Sequence, residues 1–117
     1  MPASRPRARP APASVPGMFA IAVRFDLVDD DAARTFDALT TEALAGIKES
    51  EPGTLVYAVH RVEDAPLSRV FYEVYSSCEA HAQHEANEHT RRLLSQVKVL
   101  TTSTRAEFLT APDGKLF

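Results

Sequence analysis

The sequence predicts an α+β fold with one four-stranded antiparallel sheet and two helical regions on one of its faces. Four segments are rich in the β-branched, aromatic and small apolar residues that strands favour, and two others repeat apolar residues at the helical period. These segments follow one another in the order βαββαβ. Short connections and the handedness of crossovers fold that order into the ferredoxin-like arrangement.

The first strand and the first helix are predicted from "FAIAVRFDLVDDDA". Residues 19–27 are apolar and β-favouring, and the aspartates that follow them suit the N-terminus of a helix. A helix is predicted over residues 30–50 because apolar side chains recur there near the helical period, before "EPG" ends it. The apolar positions are Phe36, Leu39, Ala43 and Ile47.

The middle of the chain predicts an antiparallel pair of strands. "TLVYAVHRVE" (residues 54–63) and "SRVFYEVYS" (residues 68–76) are rich in Val and Tyr, as strands often are. A loop containing Pro66 is predicted to join them.

A second helical region and a last strand complete the predicted order. Ser76 and Glu79 have the spacing of a capping box, so the helical region is predicted to begin there and to run to about Val97. "VLTTSTRAEFL", residues 99–109, is the last predicted strand.

The first strand has apolar or small side chains on both of its faces. Two helical regions can cover only one face of the sheet, so the other face should associate with a second copy. We therefore predict a homodimer. The two alternating sets are Phe19, Ile21, Val23 and Phe25 on one face, and Ala20 and Ala22 on the other.

The chain is predicted to consist of a disordered Pro/Arg-rich tail, residues 1–17, and a single domain, residues 18–117. Five of the eight prolines fall in the tail and interrupt every apolar stretch, so the basic start is not predicted to be an export signal. A functional start at Met18, directly before the first strand, is a further hypothesis. The single cysteine, Cys78, leaves no intramolecular disulfide and favours the cytoplasm.

The charge of the domain argues against a nucleic-acid partner. Three of the 13 basic side chains lie in the tail, so residues 18–117 carry ten basic and 16 acidic ones, a net charge of −6. Such a domain would repel a phosphate backbone. No nucleic-acid partner and no membrane partner are predicted.

Three of the four histidines cluster in "EAHAQHEANEHTRRLL". Imidazole is a common metal ligand, but the spacing of these residues matches neither H-E-x-x-H nor a zinc-finger pattern, so no metal is predicted. For His81 we favour a solvated helix face on which it pairs with Glu85, and a similar pair is open to His84 with Glu88. His60 is unassigned and is expected at the surface or opposite a neighbouring strand.

Helical geometry leaves two placements of these histidines open. A straight helix would put His89 on the apolar stripe, together with Ala82 and Ala86, and would turn His84 away from it. If the helix breaks near Asn87 instead, the phase resets and His84 can face the sheet. Periodicity slightly favours the straight helix.

The order "EPGTLVYAVHRVEDAP", "FYEVYSS", "EAHAQHEANEH" resembles the antibiotic biosynthesis monooxygenase family over nearly all of residues 18–110. The resemblance implies a dimeric α+β barrel of two ferredoxin-like protomers, and it supports the broken helix with His84 facing inward. It also implies, as in some members, oxidation of a quinol, anthrone or related polyphenol by dioxygen without a cofactor. The implied partners are a small aromatic substrate, dioxygen and a second copy of the chain.

This chemistry gives roles to particular residues. An electron-rich phenol reacts with dioxygen once it is deprotonated, so the protein needs a base, hydrogen-bond donors and an apolar pocket. His84 is predicted to be the catalytic base. The predicted substrate-binding residues are Tyr57, Glu73, Tyr75 and His89, although strand packing for the tyrosines and a structural carboxylate for Glu73 are the alternatives.

Two other functions stay open on the sequence. The same histidine could isomerise a small hydroxyketone, since some relatives move protons without adding oxygen. The fold could also serve a non-catalytic dimer that binds an aromatic ligand, because a fold alone does not establish an activity.

Overall fold

A computed structural model describes residues 17–116 and confirms the predicted α+β fold class. The predicted tail lies outside the described residues except for Gly17. No helix within residues 17–116 is long and apolar enough to cross a membrane. The elements are β1 (Phe19–Leu27), α1 (Asp30–Ser50), β2 (Thr54–Val62), β3 (Ala65–Tyr75), α2 (Cys78–Ala86), α3 (Glu88–Leu100) and β4 (Thr101–Leu109).

The four strands form one antiparallel sheet in the order β2-β3-β1-β4. Ile21 of β1 lies opposite Glu73 of β3, which in turn lies opposite Tyr57 of β2. Residues directly opposite one another on neighbouring strands point to the same face of the sheet, so these three side chains share one face. This face is the one that the helices cover, and it carries the residues of the candidate site.

The core lies between this face of the sheet and the helices α1 and α3. Three aromatic rings at its centre, Phe25, Phe36 and Phe71, pack with centroid separations of 4.9 to 5.7 Å. Leu93 brings α3 onto the same cluster. Aromatic pairs at such distances add about 0.5–1.5 kcal/mol each beyond their burial, so this cluster fixes the sheet against the helices.

Helix α1 begins and ends where the sequence predicts. Asp29 is its N-cap, and its carboxylate accepts a hydrogen bond of 2.8 Å from the amide of Ala32. Glu51 is the C-cap, and its backbone N–H donates to the carbonyl of Ile47. The side chain of Glu51 therefore lies at the C-terminal end of α1.

The connection between β2 and β3 differs from the prediction. The turn consists of Glu63 and Asp64 alone, and Asp64 has a φ of 65°, a conformation that Asp tolerates better than most residues. Pro66 lies inside β3, where the pairing register shifts between Arg61 and Val62 on the partner strand. A bulge of this kind accommodates a proline that cannot donate to the ladder, so the predicted loop around Pro66 is wrong.

The second helical region is broken at Asn87, so the straight helix that periodicity favoured is wrong. His84 and Ala80 are buried, whereas Ala82 and Ala86 are exposed. Small alanines on all sides give α2 almost no apolar stripe, which is why its phase could not be obtained from the sequence. The break confirms the arrangement that the family resemblance supported.

The caps of these two helices also differ from the predictions. The N-cap of α2 is Ser77, not Ser76, and its hydroxyl accepts a hydrogen bond of 3.0 Å from the amide of Ala80. Asn87 is the N-cap residue of α3, but its side chain makes no cap hydrogen bond. It is directed to Glu51 instead.

The face of the sheet away from the helices carries both apolar and charged side chains. Ala20 and Val74 on this face are buried, while Arg24 and the neighbouring Arg105 are exposed. Nearly all of β4, a strand at the edge of the sheet, is exposed as well. The homodimer stays a prediction.

Candidate active site

The carboxylate of Glu51 is the centre of a buried hydrogen-bond cluster. It lies 2.8 Å from Nδ1 of His84 and 2.6 Å from Nε2 of His89. The amide of Asn87 and the hydroxyl of Thr54 donate to it at 2.8 and 2.7 Å. The side chain of Glu51 is only 4% exposed, so these four contacts replace the water that the carboxylate would otherwise bind.

The cluster keeps Glu51 ionised. Burial raises its pKa, but the hydrogen bonds from Asn87, Thr54, His89 and His84 outweigh that effect and hold the pKa at about 2. An ionised carboxylate can only accept hydrogen bonds, so Nδ1 of His84 carries a proton and donates a hydrogen bond to Glu51. In a neutral His84, the lone pair is then on Nε2.

Two glycines allow the elements around Glu51 to approach one another closely. A Cβ atom on Gly46 of α1 would lie 2.3 Å from Nδ1 of His89. A Cβ atom on Gly53, directly after Glu51, would lie 2.5 Å from Cβ of Ala80 on α2. Neither position has room for a side chain, which is how the two halves of the helical region come within hydrogen-bond distance of Glu51.

His84 also faces a cavity of about 210 Å³ between the sheet and the helices. Within residues 17–116, the hydroxyl of Thr40 is the only sealed side-chain nitrogen or oxygen atom without a hydrogen-bond partner. Nε2 of His84 has no hydrogen-bond partner among the described residues and is not among the sealed atoms, so it is accessible from a cavity that the ring lines. Apolar residues dominate the lining, among them Ile21, Val23, Phe25, Phe71, Leu93, Val97 and Phe108.

Glu73 is a second carboxyl group in the lining of this cavity. It is 6% exposed, and the hydroxyl of Tyr75 donates a hydrogen bond of 2.6 Å to its Oε1. Burial is the main cause that raises the pKa of Glu73 to about 7, and the negative charges of Glu85 and Glu51 add to it against the Tyr75 hydrogen bond. The two buried carboxyl groups thus differ sharply in their affinity for a proton.

Tyr57 lies beside Glu73 on the neighbouring strand and also lines the cavity. Its ring packs against His84 and Phe71 at centroid distances of 5.2 and 5.7 Å. Burial and the charges of Glu73 and Glu51 raise the pKa of Tyr57 far above its usual range. Its hydroxyl therefore stays protonated and has no hydrogen-bond partner in the described part of the chain, which leaves it free to donate into the cavity.

The sequence profile of the antibiotic biosynthesis monooxygenase family matches residues 18–95, which include every residue of the Glu51 cluster. The chain belongs to this family. A comparison with functionally curated proteins finds no match. The match confirms the resemblance that the sequence motifs indicated.

Solved structures with the same fold come from several organisms. A protein from Caulobacter crescentus provisionally assigned as an antibiotic biosynthesis monooxygenase has a TM-score of 0.74 and 21% identity, and the match covers 83% of this chain and 92% of that one. Rv0793 from Mycobacterium tuberculosis has a TM-score of 0.74 and 24% identity, with 84% and 98% covered. A provisionally assigned monooxygenase from Nitrosomonas europaea has a TM-score of 0.72 and 19% identity, with 80% and 89% covered. These likenesses establish the fold of this family member.

The structure corrects the solvated helix face predicted for His81. The ring does lie 3.4 Å from the carboxylate of Glu85, but it also packs on Tyr75 and Phe19 at centroid distances of 4.8 and 5.5 Å. It lines the cavity at a centroid distance of 6.4 Å from His84. Burial lowers the pKa of His81, against the charge of Glu85, which raises it. The helices thus contribute two histidines, His81 and His84, to the lining of the cavity.

The structure brings the predicted site residues together, but not all of them face the cavity. His84, Tyr57 and Glu73 line it, whereas the fully buried Tyr75 and the half-buried His89 do not. Tyr75 is hydrogen bonded to Glu73, and His89 to Glu51, so each contacts a residue of the site without lining the cavity. His60, to which the sequence gives no role, is exposed on β2.

Across residues 17–116, no three His, Cys, Asp or Glu side chains are grouped as metal ligands would be. His84 and His89 each direct one ring nitrogen at Glu51.

The main residue that sequence reasoning missed is Glu51. It appeared only as the first letter of "EPG", a signal already explained by the end of α1. Its partners His84 and His89 lie 33 and 38 residues further along the chain. Its place as the first residue of "EPGTLVYAVHRVEDAP", one of the segments that carry the family resemblance, was the one signal that pointed to it.

Proposed function

We propose that this protein is a cofactor-independent monooxygenase of a quinol, anthrone or related polyphenol, with His84 as its catalytic base. One observation carries the proposal: the ionised, buried Glu51 accepts a hydrogen bond from Nδ1–H of His84, which leaves the lone pair of the neutral ring on Nε2, and His84 lines an apolar cavity. A base, a cavity that excludes water and donors for an anion are what activation of a phenol requires.

In the proposed reaction, Nε2 of His84 takes a proton from the bound substrate. The resulting electron-rich anion passes electrons to dioxygen, and one oxygen atom forms a bond to the substrate carbon. The other oxygen leaves as water. For an anthrone, the methylene group becomes a carbonyl, so that anthrone and dioxygen give anthraquinone and water, and the two removed hydrogens end in the water.

The proposed roles of the other residues follow from their contacts. Tyr57 and Glu73 would contact the substrate, because both line the cavity. Tyr75 and His89 would position Glu73 and Glu51, the groups to which they are hydrogen bonded. We further propose a homodimer formed through the exposed sheet face and β4, and a molar mass from light scattering at micromolar concentration tests it.

Oxygen uptake tests the proposed activity. The full chain, treated with a chelator, is mixed with a panel of quinols and anthrones, beside His84→Ala as the variant and the exposed Glu79→Gln as the matched control. We expect uptake by wild type and control, and a decrease of at least tenfold in His84→Ala, about 1.4 kcal/mol in the barrier. No uptake with any phenol of the panel would overturn the proposal.

The second candidate is proton transfer without oxygen, the isomerisation of a small hydroxyketone. Glu73 favours it, since a buried carboxyl group with a pKa of about 7 can both give and take a proton at neutral pH. Turnover of a hydroxyketone under strict anaerobiosis would support this function. Tight binding of an aromatic compound with no chemical change would instead support the non-catalytic dimer.

A further inference from the structure

Asn87, at the break between α2 and α3, is the N-cap residue of α3 but does not use its side chain as a cap. Asn is among the residues that cap helices best, because its side-chain oxygen can accept a hydrogen bond from a free N–H of the first turn. In α3 this bond is not made. The amide nitrogen of Asn87 instead donates a hydrogen bond of 2.8 Å to Oε2 of Glu51. The helix thus forgoes a cap that its own sequence offers.

The bond from Asn87 completes the hydrogen bonding of the Glu51 carboxylate. Its Oε1 atom is bound by Nδ1 of His84 and by the hydroxyl of Thr54, at 2.8 and 2.7 Å. Its Oε2 atom is bound by Asn87 and by Nε2 of His89, at 2.8 and 2.6 Å. A carboxylate offers about four acceptor sites, so each of them is occupied. The orientation of the carboxylate is therefore fixed by donors on both oxygens.

Asn87 differs from the other three donors in that its role cannot change. An imidazole gains and loses protons, and a hydroxyl rotates to another acceptor, but an amide N–H neither titrates nor accepts. The backbone of Asn87 is held as well, since its N–H donates to the carbonyl of His84 and its carbonyl accepts from the amide of Arg91. Burial raises the pKa of Glu51, and among the hydrogen bonds that lower it to about 2 the bond from Asn87 is the largest.

A second, polar pocket of about 160 Å³ lies beside this contact, where α1, β2 and α2 meet. Its polar lining consists of Ser50, Glu51, Thr54, Gln83, His84 and Asn87. A cavity needs only about 15 Å³ to hold one water molecule, so water can take the place of the Asn87 amide if that side chain is shortened. Water would satisfy the charge of the carboxylate, but it would not fix its orientation as a side chain on a held backbone does.

We propose that Asn87 is a positioning residue for the base His84, and that it forgoes the cap of α3 in order to hold the Glu51 carboxylate against Nδ1–H of His84. This inference rests on the proposed function and adds a residue to its machinery. The break in the helix then has two effects on one site. It turns His84 toward the sheet, and it brings the Asn87 side chain to the same carboxylate that binds His84.

Asn87→Ser separates capping from positioning. Serine caps a helix about as well as asparagine, but its side chain is too short to reach Glu51. We expect the Tm to equal or exceed that of wild type, and kcat for oxygen uptake to fall by about tenfold with KM within about twofold. The matched control is Ser77→Ala, which removes a cap bond that α2 does make and should lower the Tm without changing kcat. A wild-type kcat in Asn87→Ser would overturn the proposal; if this variant does not fold, Asn87→Asp decides.

Asn87→Asp keeps the size of the side chain and a good cap, but its carboxyl group can donate to Glu51 only while the two groups share a proton. We expect the ratio of its kcat to that of wild type to be near one at low pH and to fall by about tenfold as that proton leaves. A ratio near one at every pH would overturn the proposal, and a ratio that is low at every pH would show that the Asp caps α3 and abandons Glu51, which supports it. The titratable groups that face this contact are Glu51 after α1, His84 on α2 and His89 on α3.

Proton NMR of the His84 ring tests the positioning without any turnover. We expect a slowly exchanging Nδ1–H resonance in wild type and Ser77→Ala, its absence in His84→Ala, and exchange with water at least about tenfold faster in Asn87→Ser, where the carboxylate is no longer fixed. An exchange rate that does not change in Asn87→Ser would overturn the proposal. A resonance that depends on Asn87, without oxygen uptake from any phenol, would support the positioning and overturn the monooxygenase. Oxygen uptake that is equal in wild type and Asn87→Ser would do the reverse.

Discussion

Two carboxylates fasten α1 to the rest of the molecule, and their surroundings differ. Asp37, in the middle of the helix, binds the buried Arg69 through two hydrogen bonds of 2.9 and 3.0 Å and also contacts Arg61. Glu51, at the end of the helix, binds His84, Asn87 and His89.

The Asp37 cluster engages four of the five N–H donors of the Arg69 guanidinium. Nη1 of Arg69 donates to the backbone carbonyls of Pro66 and Ser68, and Nη2 and Nε both donate to Asp37. Arg69 holds the pKa of Asp37 below its usual range, and a guanidinium does not give up its proton in proteins. This cluster can only stabilise the fold.

The Glu51 cluster differs because it includes a ring nitrogen without a hydrogen-bond partner beside a cavity. Nδ1 of His84 is bound to Glu51, which leaves Nε2 unpaired, and the ring lines the cavity. A buried polar cluster is thus chemically useful where one member keeps an unpaired acceptor or donor at an open space.

The largest expected contrast comes from the same change in both clusters. In Glu51→Gln, the new amide can donate to Nδ1 of His84, which favours the tautomer with its proton on Nε2 and removes the base. We expect kcat to fall by about 10²–10⁴-fold, whereas Asp37→Asn should leave kcat within about twofold. Steady-state kinetics on proteins with matching near-ultraviolet circular dichroism measures both, and equal losses in the two variants would contradict the contrast.

Arg69→Met should show the opposite profile. It leaves Asp37 without its main partner and should lower the free energy of unfolding by about 3 kcal/mol, with kcat unchanged for the folded protein. Urea unfolding measures the difference. Arg34→Met, at an exposed ion pair with Asp31, is the matched control and should change stability by less than about 1 kcal/mol.

Acid should act strongly on the Glu51 cluster. Because the pKa of Glu51 is lowered from 4.5 to about 2, its contribution to stability is fully present above about pH 4.5 and is lost as the pH falls toward 2. We expect this loss to be on the order of 2 kcal/mol and to disappear in Glu51→Gln. The part due to Asp37, whose pKa is lowered too, should remain in that variant. The measurement is the difference in unfolding free energy between wild type and Glu51→Gln at pH 5 and at pH 2. If this difference is the same at both pH values within error, Glu51 has no such role.

The smallest effect concerns Gly46. Gly→Ala within a helix normally stabilises a protein by about 0.5–1 kcal/mol, but here the new Cβ would clash with the ring of His89. We expect Gly46→Ala to lower stability by about 1 kcal/mol instead, and the sign to reverse when His89 is also replaced by Ala. A double-mutant cycle of thermal or urea unfolding checks this coupling, and additive effects would rule the clash out.

Sequence patterns predicted the elements whose local signals agree. Helix α1 has caps and an apolar period that coincide, so the sequence alone gave its observed bounds. Pro66 was misplaced because a bulge in the strand pairing has no local signature. The break at Asn87 was hidden by the alanines of α2, which fit every helical phase.

The candidate site was predicted only in part for a related reason. The side-chain chemistry of His84, Tyr57 and Glu73 is enough to make them candidate site residues. Glu51 becomes a candidate only through its contacts with His84 and His89, which lie far along the chain. The prediction of a surface position for His81 is wrong because no local pattern reveals that aromatic side chains of β1 and β3 pack on its ring. Such long-range contacts need the fold before they can be inferred.

The separation between Glu51 and His84 also bears on how the protein acquires its reactivity. The pair closes a loop of more than thirty residues that contains β2 and β3, so the contact forms only after the hairpin exists and α2 has docked on it. In a nascent or partly unfolded chain, His84 is an ordinary hydrated imidazole. Opening of α2 alone therefore separates His84 from Glu51 and removes the base. We expect native-state hydrogen exchange to give the amides of α2 a lower free energy of opening than those around the aromatic core.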